Sequence, residues 1–268
     1  MIRKPSVAGY FYPENPEDLR KMIEKMVDVH EKKKKAFCVV SPHAGYVYSG
    51  AVAGAVFSSV DIPDKLIILG PNHHNVQTKF AIMKEGIWHT PIGDVPVENR
   101  LAKLIMKNTS LVVEDNRAHL KEHSLEVQLP FIQYLKKSLS IVPIIIAFYS
   151  SFEELEGLGK SIAKSIRDFK ENVMIVASTD MSHYIDQATA KKKDFLAIDN
   201  ILKLDAKGLY DIVQLENITM CGYQPTVAAI VASKELGATR ATLLKYQTSG
   251  DVTGNYLEVV GYAGIRIE

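Results

Sequence analysis

Residues 66–74 read Leu-Ile-Ile-Leu-Gly-Pro-Asn-His-His, an apolar run that stops at glycine and proline and is followed by two histidines. The run has no polar alternation, which is typical of a strand buried on both faces of a sheet. Two other segments have the same form, FCVVSPH at 37–43 and VMIVASTDMSH at 173–183. The three segments predict buried strands whose carboxyl ends carry polar side chains.

Helical patterns alternate with strand patterns along the rest of the chain. Asn15 is predicted to cap the first helix, with Pro16 at its first position. The sequence predicts further helices at 49–60, 98–107, 123–136, 152–169, 191–204 and 225–236, and strands at 36–40, 66–69, 141–147, 173–177, 241–246 and 257–266. This order predicts a three-layer α/β/α fold with a central mixed, largely parallel sheet. No linker, low-complexity segment or repeat interrupts it, which favours one domain over residues 1–268.

The composition is that of an ordinary globular protein, with 47% apolar and 24% charged residues. A formal net charge of +1 argues against a protein that coats nucleic acid. The basic run Lys32–Lys35 is interpreted as a solvated turn rather than a binding patch. No apolar stretch approaches the ~20 residues that cross a bilayer, and the chain begins without a secretory signal. Two cysteines cannot build a disulfide framework, so we expect a cytoplasmic protein without membrane contact.

Polar residues gather after the three strands. In open α/β sheets, ligands bind outside the carboxyl ends of the strands. If the three strands are parallel neighbours, His43, Asp180 and His183 meet either His73 or His74 there; the spacing does not choose between the last two. Imidazole is the commonest ligand for zinc, iron and copper, and it needs a rigid mount and a partner for its other ring nitrogen. The pattern therefore predicts a metal site at this edge.

Asp180 and His183 are three positions apart. On a helical turn this spacing would place both side chains on one face. One interpretation is a carboxylate that orients an imidazole for general acid/base chemistry. The other is that Asp180 caps the next helix and that His183 is a solvent-facing residue.

His123 lies at the start of a predicted helix that Ser124 caps. Burial there would lower the pKa of His123 and keep the ring neutral. Glu126 is either a charge on the helix surface or a carboxylate of the site, and the spacing leaves both open. Three further histidines lie outside the polar motifs and are interpreted as surface residues: His30, His89 and His119.

The two cysteines differ in their surroundings. Cys38 lies between Phe37 and Val39 in a buried strand and is expected to be an inert small apolar residue. Cys221 lies in TMCGYQP, just before a predicted helix. A thiol at a helix start has a lowered pKa, which makes it a nucleophile or a soft metal ligand. A purely structural role is the alternative.

Together these segments resemble the Memo family. The resemblance rests on AGYFYP (8–13), SPHAGYVYSG (41–50), LGPNHH (69–74), EHSLEVQLPF (122–131), STDMSHY (178–184) and CGYQP (221–225), and it covers essentially the whole chain. Six motifs in the right order make it specific. Prokaryotic members are labelled as protein B of a three-part system with an AMMECR-type protein and a radical SAM protein, which implies those two proteins as partners.

The family is similar to class III extradiol non-heme iron dioxygenases. The resemblance implies His43, His73 and Cys221 as metal ligands. It implies Asp180 and His183 as the adjacent polar pair, with His183 at the position of the dioxygenase acid/base histidine. With His123, these two form the predicted catalytic set. The dioxygenases have a carboxylate where this chain has Cys221.

A thiolate makes such a site softer, which favours copper, zinc or a thiolate-ligated iron(II). Three protein ligands leave an open position that a structural zinc site lacks. The sequence thus favours a metal-dependent oxidoreductase or dioxygenase-like enzyme using iron(II) or copper, with zinc as a further candidate. The alternatives are a module that binds a small molecule or peptide without turnover, and an accessory partner of the radical SAM protein. The substrate and any oligomeric state do not follow from the residues.

Overall fold

The computed structural model describes residues 1–74 and 77–268. The strands are β1 (Ile2–Arg3), β2 (Cys38–Ser41), β3 (Lys65–Pro71), β4 (Phe80–Ile82), β5 (Ile87–Thr90), β6 (Gly93–Pro96), β7 (Val113–Glu114), β8 (Ser140–Ile146), β9 (Val173–Ser178), β10 (His183–Ile185), β11 (Ala241–Thr248) and β12 (Val259–Ile267). The helices are α1 (Pro16–Glu24), α2 (Tyr46–Ser58), α3 (Asn99–Asn108), α4 (Leu129–Leu135), α5 (Phe152–Phe169), α6 (Gln187–Leu202), α7 (Ala206–Leu215), α8 (Tyr223–Glu235) and α9 (Gly250–Thr253).

Across the described residues, the main sheet has the strand order β10-β12-β2-β9-β3-β8-β4-β7, and β11 also pairs with β12. Strands β2, β9, β3 and β8 are mutually parallel, whereas β12 and β4 run antiparallel to their neighbours β2 and β8. A small second sheet contains β1, β5 and β6. The predicted mixed, largely parallel sheet is confirmed.

Helices cover both faces of the main sheet. Because successive strand side chains point to opposite faces, Ile67 and Leu69 pack into the apolar cluster beneath α5 and α8, while Leu66 and Ile68 pack beneath α1, α2 and α4. All four side chains are fully buried. Coverage of both faces explains why the central strands are continuously apolar, and it confirms the three-layer α/β/α prediction.

Local capping explains where the helices begin. The side chain of Asn15 accepts hydrogen bonds from the backbone of Glu17 and Asp18 at the start of α1, as predicted. The predicted helix at 123–136 is wrong in its first half, because a short 3₁₀ turn (Glu126–Gln128) precedes α4 and Ser124 caps neither element. Proline fits only the first turn of a helix, and Pro130 is in the first turn of α4.

The N-terminal segment is fastened to Glu126, which is completely buried. The Glu126 carboxylate pairs with Arg3 and accepts hydrogen bonds from the backbone of Ser6 at 2.8 Å and of Val7 at 3.1 Å, and from the hydroxyl of Tyr12. Glu126 is therefore neither a helix-surface charge nor a carboxylate of the predicted metal site. It anchors the first residues of the chain against the segment that carries His123.

The exposure of several residues agrees only in part with the predictions made from the sequence. Lys32–Lys35 are all exposed, as a solvated turn requires. Of the described helices, none has the length and apolar composition needed to cross a membrane. His30 and His89 are exposed, but the prediction that His119 is a surface residue is wrong. His119 is fully buried, and burial, followed by the charge of Arg3, lowers its pKa to about 3.

Candidate functional site

Three neighbouring strands deliver the predicted site residues to one edge of the sheet. Strand β9 lies between β2 and β3 and is parallel to both. Their carboxyl ends are therefore side by side. His43 follows β2, His73 follows β3, and Asp180 follows β9. The prediction that these strands are parallel neighbours is confirmed.

Among the residues the structure describes, three histidines can bring their ligand atoms together. One ring nitrogen from each of His43, His73 and His123 lies within 4.8 Å of the others. The rings of His73 and His123 are stacked with centroids 4.7 Å apart, and His43 stands edge-on to both at 5.3 and 5.5 Å. His74 is exposed, whereas the ring of His73 packs against the rings of His43 and His123.

A hydrogen-bond chain fixes the His43 ring. The Ser178 hydroxyl donates to the carbonyl of Ser124 at 2.6 Å and accepts from the side-chain amide of Gln128 at 2.8 Å. Since a hydroxyl has a single hydrogen to donate, it must also accept from Nδ1 of His43, 2.9 Å away. Nδ1 of His43 therefore carries the proton, and Nε2 keeps its lone pair.

Glu122 orients His73 in a similar way. Its Oε1 accepts from Nδ1 of His73 at 2.9 Å, and its Oε2 accepts from the His73 backbone at 2.7 Å. Burial opposes ionisation of this carboxyl, but the contacts with His73 outweigh it and hold the pKa of Glu122 well below its usual range. The sequence analysis missed Glu122. It stands at the head of the motif at 122–131, but no spacing rule connects it with a residue in another segment.

His123 completes the cluster. Burial is the main cause that lowers its pKa to about 4, so the ring is neutral near pH 7, as predicted. Nδ1 of His123 lies 3.5 Å from Oε1 of Glu122. The ring of Phe11, in the anchored N-terminal segment, packs edge-on against it at 4.9 Å.

Cys221 lies beside His43. Its Sγ is 3.3 Å from Nε2 of His43 and accepts a hydrogen bond from the backbone of Asp180 at 3.2 Å. Burial, followed by the charge of Asp180, raises the pKa of the thiol. This direction is opposite to the expected lowering, because desolvation and the neighbouring Asp180 carboxylate outweigh the nearby helix start. Burial also raises the pKa of Cys38, to about 12, which fits its predicted inert role.

Asp180 and His183 do not share a helical turn. His183 begins β10 and pairs with Val260, while the following helix α6 is capped by Asp186. Pairing with β12 takes precedence over the local helical spacing, so this part of the prediction is wrong. Oδ1 of Asp180 instead accepts from the backbone of His43 at 2.8 Å. Asp180 thus fastens the loop that carries His43, and burial raises the pKa of its carboxyl.

His183 has a separate support. Its backbone donates to the hydroxyl of Thr219 at 2.7 Å, and its Nδ1 lies 2.9 Å from the Thr219 carbonyl. A carbonyl can only accept, so Nδ1 carries a proton, and Nε2 is the nitrogen with the lone pair whenever the ring is neutral. Tyr184, the next residue, has a left-handed backbone (φ +58°), which is uncommon for a side chain of this size.

A cavity of about 690 Å³ opens over these groups. The three clustered histidines, Asp180 and His183 line it together with aromatic and polar side chains from the N-terminal segment, α2, α9 and β12. Cys221 is not one of the lining residues, but its Sγ is 3.3 Å from Nε2 of His43, which is one of them. The cavity therefore gives a ligand access to the same edge of the sheet that carries the candidate metal ligands.

Comparison with known proteins agrees with the motifs. The family model of Memo-like proteins matches residues 3–266. The chain belongs to the Memo family. Two MEMO1 family proteins illustrate the similarity: that of Pyrobaculum arsenaticum is 43% identical over 98% of each chain, and that of Aquifex aeolicus is 39% identical over 98% of each chain.

The Memo fold also has a solved structural neighbour. An uncharacterized protein of Escherichia coli K12 superposes with a TM-score of 0.56 over 84% of this chain and 98% of that chain. The two sequences are 14% identical. This likeness shows that the α/β architecture is shared.

Proposed function

We propose that this Memo-family protein binds a redox-active metal ion, iron(II) or copper, at His43, His73 and Cys221. The ion would serve an oxidoreductase or dioxygenase-like reaction on a small molecule in the cavity. The observation that carries the proposal is the convergence of His43, His73 and His123 within 4.8 Å, with the thiol of Cys221 in contact with His43.

The donor groups fit a metal ion. His43 and His73 each engage Nδ1 with a protein partner, Ser178 and Glu122, which leaves Nε2 as the ring nitrogen available to a metal ion. A metal-binding histidine has this arrangement. The 3.3 Å between Sγ of Cys221 and Nε2 of His43 is close to the roughly 3.5 Å that separates a thiolate and an imidazole on one tetrahedral ion. The backbone hydrogen bond from Asp180 would stabilise the thiolate.

Such an ion would supply redox chemistry and an open coordination position. The protein's own groups would do the rest. Nε2 of His183 can accept a proton from a substrate in the cavity, because Nδ1 already holds a proton directed to Thr219. His123 is neutral and lines the same cavity, so it can hydrogen-bond a ligand or replace Cys221 as the third donor. Asp180 acts by holding the His43 loop.

A second function is favoured by the open mouth of the cavity. Tyr10 is 89% exposed and Tyr184 is 74% exposed, and both line it. Exposed aromatic rings around a cavity are typical of sites that bind a partner. The same cavity would then bind a small molecule or peptide without turnover. The AMMECR-type protein and the radical SAM protein remain predicted partners.

Metal binding can be tested by anaerobic purification, followed by measurement of metal content and of affinity for iron(II), copper(I) and cobalt(II). Cobalt(II) bound through Cys221 is expected to give a near-ultraviolet thiolate charge-transfer band that Cys221→Ser removes and His123→Asn retains. If His123→Asn abolishes binding while Cys221→Ser does not, the three histidines are the ligands. A wild-type protein that binds none of these ions would overturn the proposal.

Turnover requires a separate measurement. Oxygen uptake by the iron(II) or copper(I) protein should disappear in His43→Ala, which loses a ligand. It should fall in His183→Gln without loss of metal. Uptake that is the same with and without protein-bound metal would favour the binding module instead.

A further inference from the structure

The charge of the cavity wall is one-sided. Among the described residues that line the cavity, the acidic ones are Asp180 and Glu258, and none is a lysine or an arginine. The chain as a whole carries nearly equal numbers of basic and acidic side chains, 32 and 31. A cavity whose described lining has carboxylates but no lysine or arginine gives no permanent counter-charge to an anionic ligand, and it favours a cationic one.

Glu258 is the carboxylate that is free to meet a ligand. Asp180 is buried and uses Oδ1 for the backbone of His43 and Ala44. Glu258 is exposed, and no ion pair or side-chain hydrogen bond joins it to the residues that the structure describes. It immediately precedes β12, which fixes its backbone at the cavity wall.

Aromatic side chains supply the rest of a cation site. Tyr10, Tyr48 and Tyr184 line the cavity and are 89%, 41% and 74% exposed. Two more aromatic residues of the wall, Phe11 and Tyr262, are less exposed. An ammonium group is attracted to the face of an aromatic ring, and the attraction is stronger when the ammonium group is desolvated. Several rings and one free carboxylate in the lining of one cavity therefore suit an organic cation.

We propose that the cavity takes an organic ammonium ligand, with the cationic group at Glu258 and the tyrosines and the rest of the ligand directed towards the histidines. The assignment of this compound as the substrate rests on the proposed metal-dependent function; the preference for a cation does not. A bound metal ion would repel the ammonium group, which places that group at Glu258 and away from the histidine end.

The test uses the metal-free, full-length protein and three probes with the same ring: 2-phenylethylamine, 2-phenylethanol and 3-phenylpropionate. NMR titration of the backbone amides measures affinity and location together. We expect the amine to bind at least about fivefold more tightly than the alcohol, and the carboxylate to bind most weakly. The shifted amides should belong to residues 180–184 and 249–262.

Matched variants identify the carboxylate. Glu258→Gln is expected to lower affinity for the amine about fivefold and to leave the alcohol unchanged, since only the charge is removed. Glu31→Gln removes an exposed carboxylate outside the cavity and should change neither. Equal binding of amine and alcohol, or an amine affinity insensitive to Glu258→Gln, would overturn the inference.

The outcome of the cation experiment can be distinguished from the outcome of the metal-binding experiment. A cation preference in a protein that binds no metal would uphold the ligand class and remove the proposed redox function. Metal binding without a cation preference would remove the proposed ligand class and leave the proposed metal-dependent function standing.

Discussion

Both oxygens of the Glu122 carboxylate hold His73, Oε2 through the His73 backbone at 2.7 Å and Oε1 through Nδ1 at 2.9 Å. The same Oε1 accepts from the backbone of Ser124 at 2.9 Å. One buried carboxylate therefore fixes the position, the ring orientation and the protonated nitrogen of a candidate metal ligand. It also ties the end of β3 to the segment that carries His123.

Glu122→Gln should weaken metal binding without unfolding the protein. The amide keeps the size of the side chain, but its NH₂ group must face one of two N–H donors of His73. Removal of a carboxylate behind a metal-binding histidine commonly costs about 10–100-fold in affinity. Competition titration with zinc as the probe measures this change. Glu216→Gln, at an exposed position, is the control. Equal zinc affinities for both variants would contradict the role given to Glu122.

The framework of the site could be predicted from the sequence because it depends on local patterns. Continuous apolar runs predicted β2, β3 and β9, and polar residues after each run predicted the edge at which they meet. Contacts between distant segments could not be predicted in this way. Glu122 and His73 are 49 positions apart, and Thr219 and His183 are 36 apart. Nothing in the periodicity of either segment encodes such a contact.

Gly222→Ala should displace Cys221. A methyl group at Gly222 would lie 2.3 Å from the carbonyl oxygen of Ser178 and 2.5 Å from Cβ of Thr179, so the backbone must move. Overpacking of this kind costs about 1–3 kcal/mol of unfolding free energy, and the movement should also lower metal affinity. Urea unfolding and the cobalt(II) titration measure the two effects.

Gly157→Ala is the matched control for this substitution. The nearest atom to its new methyl group would be 3.5 Å away, and Gly157 lies inside helix α5. Alanine is favoured over glycine there by about 0.5–1 kcal/mol. The control should therefore be as stable as the wild type or more so. If Gly222→Ala matched it in stability and metal affinity, close packing at Gly222 would have no part in placing Cys221.

Arg3→Met should destabilise the protein through Glu126. Both side chains of this ion pair are completely buried, and loss of the arginine leaves a buried charge uncompensated. Such a loss costs about 3–5 kcal/mol. Arg3→Met with Glu126→Gln should be less destabilised than the sum of the single variants, as a double-mutant cycle in urea would measure.

Arg100→Met provides the exposed comparison. Arg3 lies over the ring of Trp88. Arg100 likewise pairs with a glutamate, Glu171, and lies over the ring of Phe169, but its side chain is 61% exposed. An exposed pair contributes about 0–1 kcal/mol. A similar loss of stability in Arg3→Met and Arg100→Met would show that burial of the Arg3–Glu126 pair does not decide its strength.

Asp180 and His183 lie at the predicted edge of the sheet, but their local geometry differs from the prediction. The spacing of three positions predicted a shared helical face, but the chain extends after Asp180 so that β10 can pair with β12. Each residue then finds a partner outside its own segment, Asp180 at the His43 loop and His183 at Thr219. Local spacing predicts neighbours only where the local conformation is known.

Thr219→Val tests the support of His183. Valine has the shape of threonine but lacks the hydroxyl that accepts a hydrogen bond from the His183 backbone N–H at 2.7 Å. The Thr219 carbonyl that faces Nδ1 of His183 is retained. Because the backbone of His183 is then held less firmly, the ring should sample both tautomers, and oxygen uptake should fall about tenfold at unchanged metal content. NMR shifts of the imidazole nitrogens report the tautomer directly, which a merely structural defect would not alter. Thr239→Val, at an exposed position, is the control. If His183 keeps its proton on Nδ1 in Thr219→Val and uptake still falls, orientation rather than tautomer is the contribution of Thr219; if neither changes, Thr219 does not position His183.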